Sequence, residues 1–409
     1  MKHLAKSCYI LPLLLAAAGT AQAQDSWGDS MSSAVSDGKA NLDFRYRFEE
    51  VDQDGIDKKA TANTLRSRMT LETAPLGGFT VLIEMDDVTA LGSEDYNSLE
   101  NGNTQYPVIA DPEGTDLNQG YIKYAGEDFA GILGRQRIVH GNQRFIGGVS
   151  WRQNEQTFDS LRGTWDPMEL LKLDLSYVSN VSRIFGPEDG AQPADLKGDN
   201  YFFRADYQMA PNQKLTGYGY WLDFDADRDY ASGKTVDNSG DTYGVEYSGK
   251  FDWFSINAAY ATQSDAGSST LSYDADYYLI ELGAKFGGVG FKGGYEVLGG
   301  DNGVGFKTPL ATLHKFQGWA DKFLGTPGDG IEDMYVGVNG KLGPVKLAAI
   351  YHDFQAEDSK ADFGTEIDLV ATWPINKQFS VQAKYAAFDT DSVRYTDTDK
   401  AWITLQLKL

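Results

Sequence analysis

Asn41-Leu42-Asp43-Phe44-Arg45-Tyr46-Arg47-Phe48-Glu49 alternates without a break. Leu42, Phe44, Tyr46 and Phe48 fall on one side, and Asp43, Arg45, Arg47 and Glu49 on the other. Strict alternation over this length means a β-strand with one apolar and one wet face. Residues 65–72 repeat the pattern, with Leu65, Met69 and Leu71 opposite Arg66, Arg68, Thr70 and Glu72. Residues 79–86 repeat it again, with Phe79, Val81, Ile83 and Met85 opposite Thr80, Glu84 and Asp86.

Outward from these strands, eighteen such segments can be placed, at about 41–50, 62–73, 78–87, 116–125, 129–138, 156–165, 169–179, 199–209, 214–224, 240–249, 252–262, 275–286, 289–298, 331–341, 344–354, 362–373, 378–388 and 398–409. Their connections alternate in length. Short ones carry turn residues, such as Ala74-Pro75-Leu76-Gly77, Ala210-Pro211-Asn212-Gln213 and Gly287-Gly288. Long ones include 88–115, 139–155, 180–198, 225–239 and 299–330. This rhythm predicts an all-β transmembrane antiparallel up-and-down barrel of about eighteen strands, with short periplasmic turns and long extracellular loops. Trp165, Trp253, Trp373 and Phe379 sit beside tight turns, where an interfacial aromatic girdle belongs. The chain stops inside an amphipathic strand, with Ala401, Ile403, Leu405, Leu407 and Leu409 on one face. A soluble propeller or sandwich would alternate too, but it has neither the loop rhythm nor a terminal strand of this kind.

The N-terminus predicts export. Lys2 and Lys6 precede the apolar run Tyr9–Ala18, and Ala21-Gln22-Ala23 is a small-x-small cleavage site. The expected organisation is a signal peptide at 1–23, a short periplasmic segment at 24–40 and the barrel at 41–409. Cleavage removes two lysines and no acids, leaving 34 basic and 59 acidic residues, a net −25. Such acidity excludes nucleic acid as a partner. Cys8 is the single cysteine and lies in the leader, so the mature chain has no disulfide or cysteine–metal site. Mean hydropathy is negative and no later segment has 18 apolar residues in a row, which excludes a helical membrane protein.

Thirteen arginines are present, eleven of them between Arg45 and Arg204. Arg45/Arg47, Arg66/Arg68 and Arg135/Arg137 are spaced to share a strand face, and Arg204 reads inward opposite Tyr201, Phe203, Ala205 and Tyr207. With Arg144 and Arg152 in a loop, these predict a basic lumen wall suited to carboxylates. Glu84 and Asp86 take inward registers on the same wall. The two readings are a transverse field across a constriction, or arginines and acids that pair and tie strands together. The loop 139–155 is the candidate constriction. It holds His140, Asn142, Gln143, Trp151, Gln153 and Asn154 besides its arginines, whereas 88–115 carries acids and no base.

No enzyme is expected. His140, His314 and His352 are the histidines after cleavage, and no Gly-x-Ser-x-Gly element, phosphate loop, zinc motif or dinucleotide fingerprint occurs. The run Asp223, Asp225, Asp227, Asp229 has calcium-loop spacing, but Arg228 stands where the turn needs glycine. No cofactor or metal is therefore expected.

Pro107-Val108-Ile109-Ala110-Asp111-Pro112-Glu113, Leu117-Asn118-Gln119-Gly120-Tyr121, Gly134-Arg135-Gln136-Arg137, Asn142-Gln143-Arg144-Phe145-Ile146-Gly147 and Trp151-Arg152-Gln153-Asn154-Glu155-Gln156-Thr157-Phe158-Asp159 resemble the bacterial alginate-export porin family in its shorter, standalone form. Ala62-Asn63-Thr64-Leu65-Arg66-Ser67-Arg68 and Phe44–Phe48 extend the resemblance, whose motifs cover roughly 41–165. It implies an eighteen-stranded channel of the Gram-negative outer membrane, with a basic pore in the member that exports an acidic polysaccharide. Residues and resemblance together predict a passive porin for small hydrophilic solutes, favouring anionic sugars (uronates, alginate oligomers) or organic acids. The alternatives are a dedicated exporter of an acidic polysaccharide such as alginate, and a plugged structural or adhesin-like barrel. Expected partners are outer-membrane lipid and lipopolysaccharide, the barrel-assembly machinery through the C-terminal strand, and the solutes themselves.

Overall fold

The computed structural model describes residues 22–225, 227–229, 234–267 and 269–409. The leader up to residue 21 and the side chains of Asp227 and Asp229 lie outside the described residues. A helix, α1 (Gln22–Ser36), precedes the sheet, so the segment expected as a short periplasmic stretch is mostly helical.

Besides two short hairpins in loops (Asp227–Asp229 with Lys234–Val236, and Gly300–Asp301 with Val304–Gly305), the described residues form eighteen barrel strands. They are β1 (Lys39–Gln53), β2 (Ala60–Glu72), β3 (Phe79–Ala90), β4 (Gly114–Ala125), β5 (Phe129–Gln136), β6 (Thr157–Met168), β7 (Leu171–Ser182), β8 (Asp195–Ala210) and β9 (Gln213–Leu222). The second half is β10 (Gly240–Lys250), β11 (Phe254–Ser264), β12 (Asp274–Phe286), β13 (Val289–Leu298), β14 (Ile331–Leu342), β15 (Val345–Gln355), β16 (Asp362–Pro374), β17 (Phe379–Asp389) and β18 (Thr398–Lys408). Each expected segment is a strand. The widest boundary difference is at β8, which begins at Asp195 instead of 199.

Every strand pairs antiparallel with its sequence neighbour, and β1 pairs with both β2 and β18, which closes the barrel. The seam is sealed at its periplasmic end by reciprocal backbone bonds, Leu42 N to Leu409 O at 3.0 Å and Leu409 N to Leu42 O at 2.9 Å. Closure leaves no free edge, as a sheet in lipid requires. Tight turns gather at one end, for example Gly287-Gly288, both at positive φ as a two-residue hairpin needs.

The alternation read from the sequence sorts the wall. Met69, Leu71, Phe79, Val81, Ile83 and Met85 are exposed outward as the lipid face. Trp165 and Trp253 mark the turn end, with the Phe79 ring tilted against Tyr124, their centroids 5.0 Å apart. At the loop end the outward rings are tyrosines whose hydroxyls donate to acids: Tyr177 to Asp199 at 2.6 Å and Tyr260 to Asp276 at 3.0 Å. The buried apolar core lies inside the barrel, where Phe158, Phe202, Tyr277, Phe354 and Phe388 of the wall pack with Ile146 and Leu310 of two loops. The loops 137–156 and 299–330 therefore occupy the lumen.

Candidate functional site

The loop between β5 and β6 crosses the bore because its polar groups find partners on opposite walls. Arg45 Nε donates to Gln153 Oε1 at 2.9 Å and Nη1 to the Ser150 carbonyl at 2.8 Å, and Nη2 also meets the Arg152 carbonyl. The Gln153 amide donates to Thr64 Oγ1 at 2.8 Å. Arg152 Nη1 donates to Glu49 at 2.9 Å and lies 3.5 Å from Asp111. At the far wall Arg144 reaches Gln317 at 3.0 Å and Glu296 at 3.4 Å. Phe145 there packs among Tyr218, Tyr220 and Tyr277.

The wall arginines form a paired network. Arg68 donates to both oxygens of Asp86, at 2.6 and 2.5 Å, and lies 2.9 Å from Glu155. Arg137 donates to Glu155 at 2.8 Å and also contacts Glu84. Arg66 meets Asp43 at 3.2 Å, Arg47 lies 3.8 Å from Asp111, and Arg204 lies 3.1 Å from Asp206 and 3.5 Å from Glu246. Glu84 and Asp86 are thus counter-ions within the stripe. Arg45 differs, since its partners are neutral carbonyls. Burial opposes ionisation of Glu155, but Arg68 and Arg137 outweigh it and hold its carboxyl at about 2.

One arginine is corrected. Arg135 pairs across to Gly120 and Asp159, in register with the lipid-facing Leu133 and Leu161. It donates to Asp159 at 2.8 Å on the outer side of the wall, near the tyrosine rim. The strand ends at Gln136, so Arg137 escapes the alternation and turns inward.

The loop's amides are also spent differently from expectation. Gln143 Oε1 accepts from Thr312 Oγ1 at 2.7 Å, and Asn142 Oδ1 accepts the Arg144 N–H at 3.0 Å. Asn154 donates to the Gly186 carbonyl at 3.0 Å, and His140 Nδ1 lies 3.2 Å from the Tyr220 hydroxyl. These groups fix the loop in place. Trp151 and Arg152 line the larger open space above the loop, and Asn142 the smaller one below it.

The second inward loop, 299–330, was not singled out by sequence. His314 stacks on Trp151 with centroids 4.3 Å apart and planes 5° from parallel. Its Nδ1 is 2.7 Å from Asp321 Oδ1, and its Nε2 is 2.5 Å from Lys384 Nζ on β17. An ammonium donating to Nε2 leaves the proton on Nδ1, directed at Asp321. Burial pulls this imidazole down to about 3, against the pull of Asp321 and with help from Lys384. Lys384 Nζ also lies over the rings of Trp319 and Trp151, 3.5 and 4.2 Å from their centroids. Lys400 reaches Asp321 at 2.8 Å. The Ala320 N–H donates to Glu366 at 2.7 Å, and Gly318 (φ +79°) lies so close to that carboxylate that a Cβ would clash. Lys384 and Lys400 stand on inward registers of β17 and β18, and that register is the sequence signal for them.

This layer divides the lumen. On the extracellular side a vestibule of about 800 Å³ is lined by Arg152, Arg183, Lys322, Arg394 and Lys400, with Asp321 the one carboxylate among its described lining residues. Its remaining walls are largely apolar, including Val51, Leu99, Phe185, Leu313 and Tyr395. Burial pulls the Lys322 ammonium down to about 8, and Lys400 adds to the effect. On the periplasmic side a cavity of about 350 Å³ carries Glu246, Glu281, Glu296 and Asp333 beside Lys292, Lys315 and His352. Leu313, His314, Ala320 and Asp321 line the upper space, and Lys315, Phe316, Gln317 and Trp319 the lower one. The segment 313–321 is therefore a septum one chain thick.

A closed eighteen-stranded barrel with a lipid-facing belt and a lumen narrowed by two loops defines an outer-membrane channel. A family model described as alginate export matches residues 39–297, and the chain belongs to that family. Solved structures share the fold across nearly their whole length. Acinetobacter baumannii OccAB2 aligns with a TM-score of 0.71 at 14% identity, covering 92% of this chain and 99% of its own. Pseudomonas aeruginosa OccK3 (OpdO) aligns with a TM-score of 0.69 at 13% identity, covering 94% and 98%. No curated protein matches in sequence. The chain is placed in the bacterial outer membrane, in contact with its lipid and lipopolysaccharide.

Proposed function

We propose that the channel passes small organic anions, uronates among them, by diffusion through the vestibule and past the septum. One observation carries this reading: Arg152, Arg183, Lys322, Arg394 and Lys400 all line the vestibule of a strongly acidic chain, and although Glu49, Asp329 and Asp321 offset Arg152, Arg394 and Lys400, Lys322 donates to the neutral hydroxyls of Thr396 and Thr398. The wall arginines contribute less than their number implies, because acids neutralise them in place. A cation-lined entrance raises the local concentration of anions over neutral solutes of equal size. The apolar walls favour acids with a compact carbon body over extended polymers. The two loops across the bore also weigh against dedicated polymer export and keep the lower cavity small. A plugged structural barrel has no use for a polarised vestibule. No part of this reading requires catalysis by the protein.

The same reading covers the ends of the chain. Residues 1–23 act as a cleaved signal peptide, and the strand β18 is the segment the assembly machinery engages.

Liposome swelling separates charge from size. Galacturonate and galactose have nearly the same ring and differ in one carboxylate. Faster swelling in galacturonate, lost in Lys322→Met/Lys400→Met, is the expected result. Equal rates for the two sugars would remove the proposal.

A further inference from the structure

We propose that the N-terminal helix is a membrane-surface anchor that lays one face onto the periplasmic phospholipid leaflet beside the barrel. Trp27, Met31 and Val35 are spaced four residues apart, so they form one stripe on α1. They are 63%, 59% and 70% exposed, far more than a helix packed on its own protein leaves open. Asp29, Ser33 and Ser36 occupy the opposite side. From Trp27 to Ser36, Ala34 is half-buried and the other residues are exposed.

A helix this short and rich in serine, with Gly28 in its middle, is marginal in water; isolated helices below ~12–15 residues rarely hold. It needs a surface for its apolar stripe. Its attachment says which surface is in reach. The Ala74 N–H donates to the Ala34 carbonyl at 2.8 Å, which ties the last helical turn to the periplasmic turn 73–78. Gly38 lies against the Glu72 carbonyl so closely that a Cβ would sit 2.5 Å from it. The lipid belt starts at the same place, with Leu71 and Phe79 flanking that turn and Leu42 at the foot of β1, all exposed outward. The stripe is thus continuous with an interface already committed to lipid. The helix carries no base, so apolar insertion and the covalent tether, and not attraction to anionic headgroups, hold it there.

The mature chain lacks cysteine, which makes the test direct. Met31→Cys, Val35→Cys and Ser33→Cys are made singly in the full chain with Cys8→Ser, labelled with bimane, and reconstituted into phosphatidylethanolamine/phosphatidylglycerol vesicles. These positions are exposed, so folding is retained and is checked by the gel shift of the unheated barrel. Nitroxide-labelled lipid is expected to quench the labels at 31 and 35 several-fold more than at 33, with aqueous iodide giving the reverse order. Equal iodide quenching at all three sites overturns the proposal by placing the helix in water. Shielding of 31 and 35 from both quenchers overturns it too, since protein then covers the stripe.

Discussion

Lys384 Nζ stands 3.5 Å from the centre of the Trp319 indole, a cation from the barrel wall held on an aromatic ring of the septum. The same ammonium meets Trp151 of the other inward loop and His314 Nε2. One wall residue thus joins both loops that narrow the lumen. Desolvated cation–π contacts are worth about 2 kcal/mol each, enough to set how often the loops separate. Lys384→Met keeps the volume and removes the charge. Single-channel recordings should show larger, noisier current steps than wild type. Steps of unchanged size and lifetime would show that the septum stands without this pin.

Arg68 is predicted to matter for stability more than for selectivity. Its removal strands Asp86 inside the wall and leaves Arg137 alone to balance Glu84 and Glu155. Breaking a buried pair of this kind costs about 3–5 kcal/mol. Arg66→Ala should cost clearly less, because its partner Asp43 keeps hydrogen bonds from Gln406 at 2.9 and 3.0 Å. Urea unfolding of the two variants in detergent gives the comparison. Equal losses would contradict the unequal pairing.

Glu155 gives the loop 137–156 an acid limit. Its carboxyl titrates at about 2 in the folded chain, below the ordinary value of 4.5. A depressed acid stabilises the fold fully above its unfolded value and loses that contribution as pH falls toward the folded one. The contribution, roughly 3 kcal/mol, should hold from pH 5 upward and fade between about pH 4.5 and 2. Unfolding midpoints against pH should therefore drop in this window for wild type and much less for Glu155→Gln. A wild-type curve that is flat down to pH 2 would refute the assignment.

Lys322 makes the entrance sensitive to base. Its ammonium titrates at about 8 in the folded chain, so it is charged below that pH and neutral above it. Anion preference, read as the reversal potential in a salt gradient, should fall between pH 7 and 9. Lys322→Met should abolish most of that dependence. The same slope in the variant would place the titrating group elsewhere.

The barrel was legible because period-two alternation is a local property. Leu42 through Glu49 declare their two faces with no knowledge of the rest of the chain, and lipid outside makes that declaration strict. The inward folding of 137–156 was legible only as an unusual composition, because its partners are remote. Gln153 meets Arg45 across 108 positions, and Arg144 meets Gln317 across 173. The Arg135/Arg137 pair misled for a different reason. Residues i and i+2 share a face only while both stay in the strand, and β5 ends between them. The septum around His314 and Asp321 draws on two loops and on Glu366, Lys384 and Lys400 of three strands, so no window of sequence contains it.

Anion selectivity is the central claim, and the reversal potential in a planar bilayer tests it most directly. With a tenfold potassium chloride gradient at pH 7, the wild-type channel should give a potential of the sign set by chloride. Lys322→Met/Lys400→Met should move it toward zero. A wild-type potential of the sign set by potassium would contradict the account.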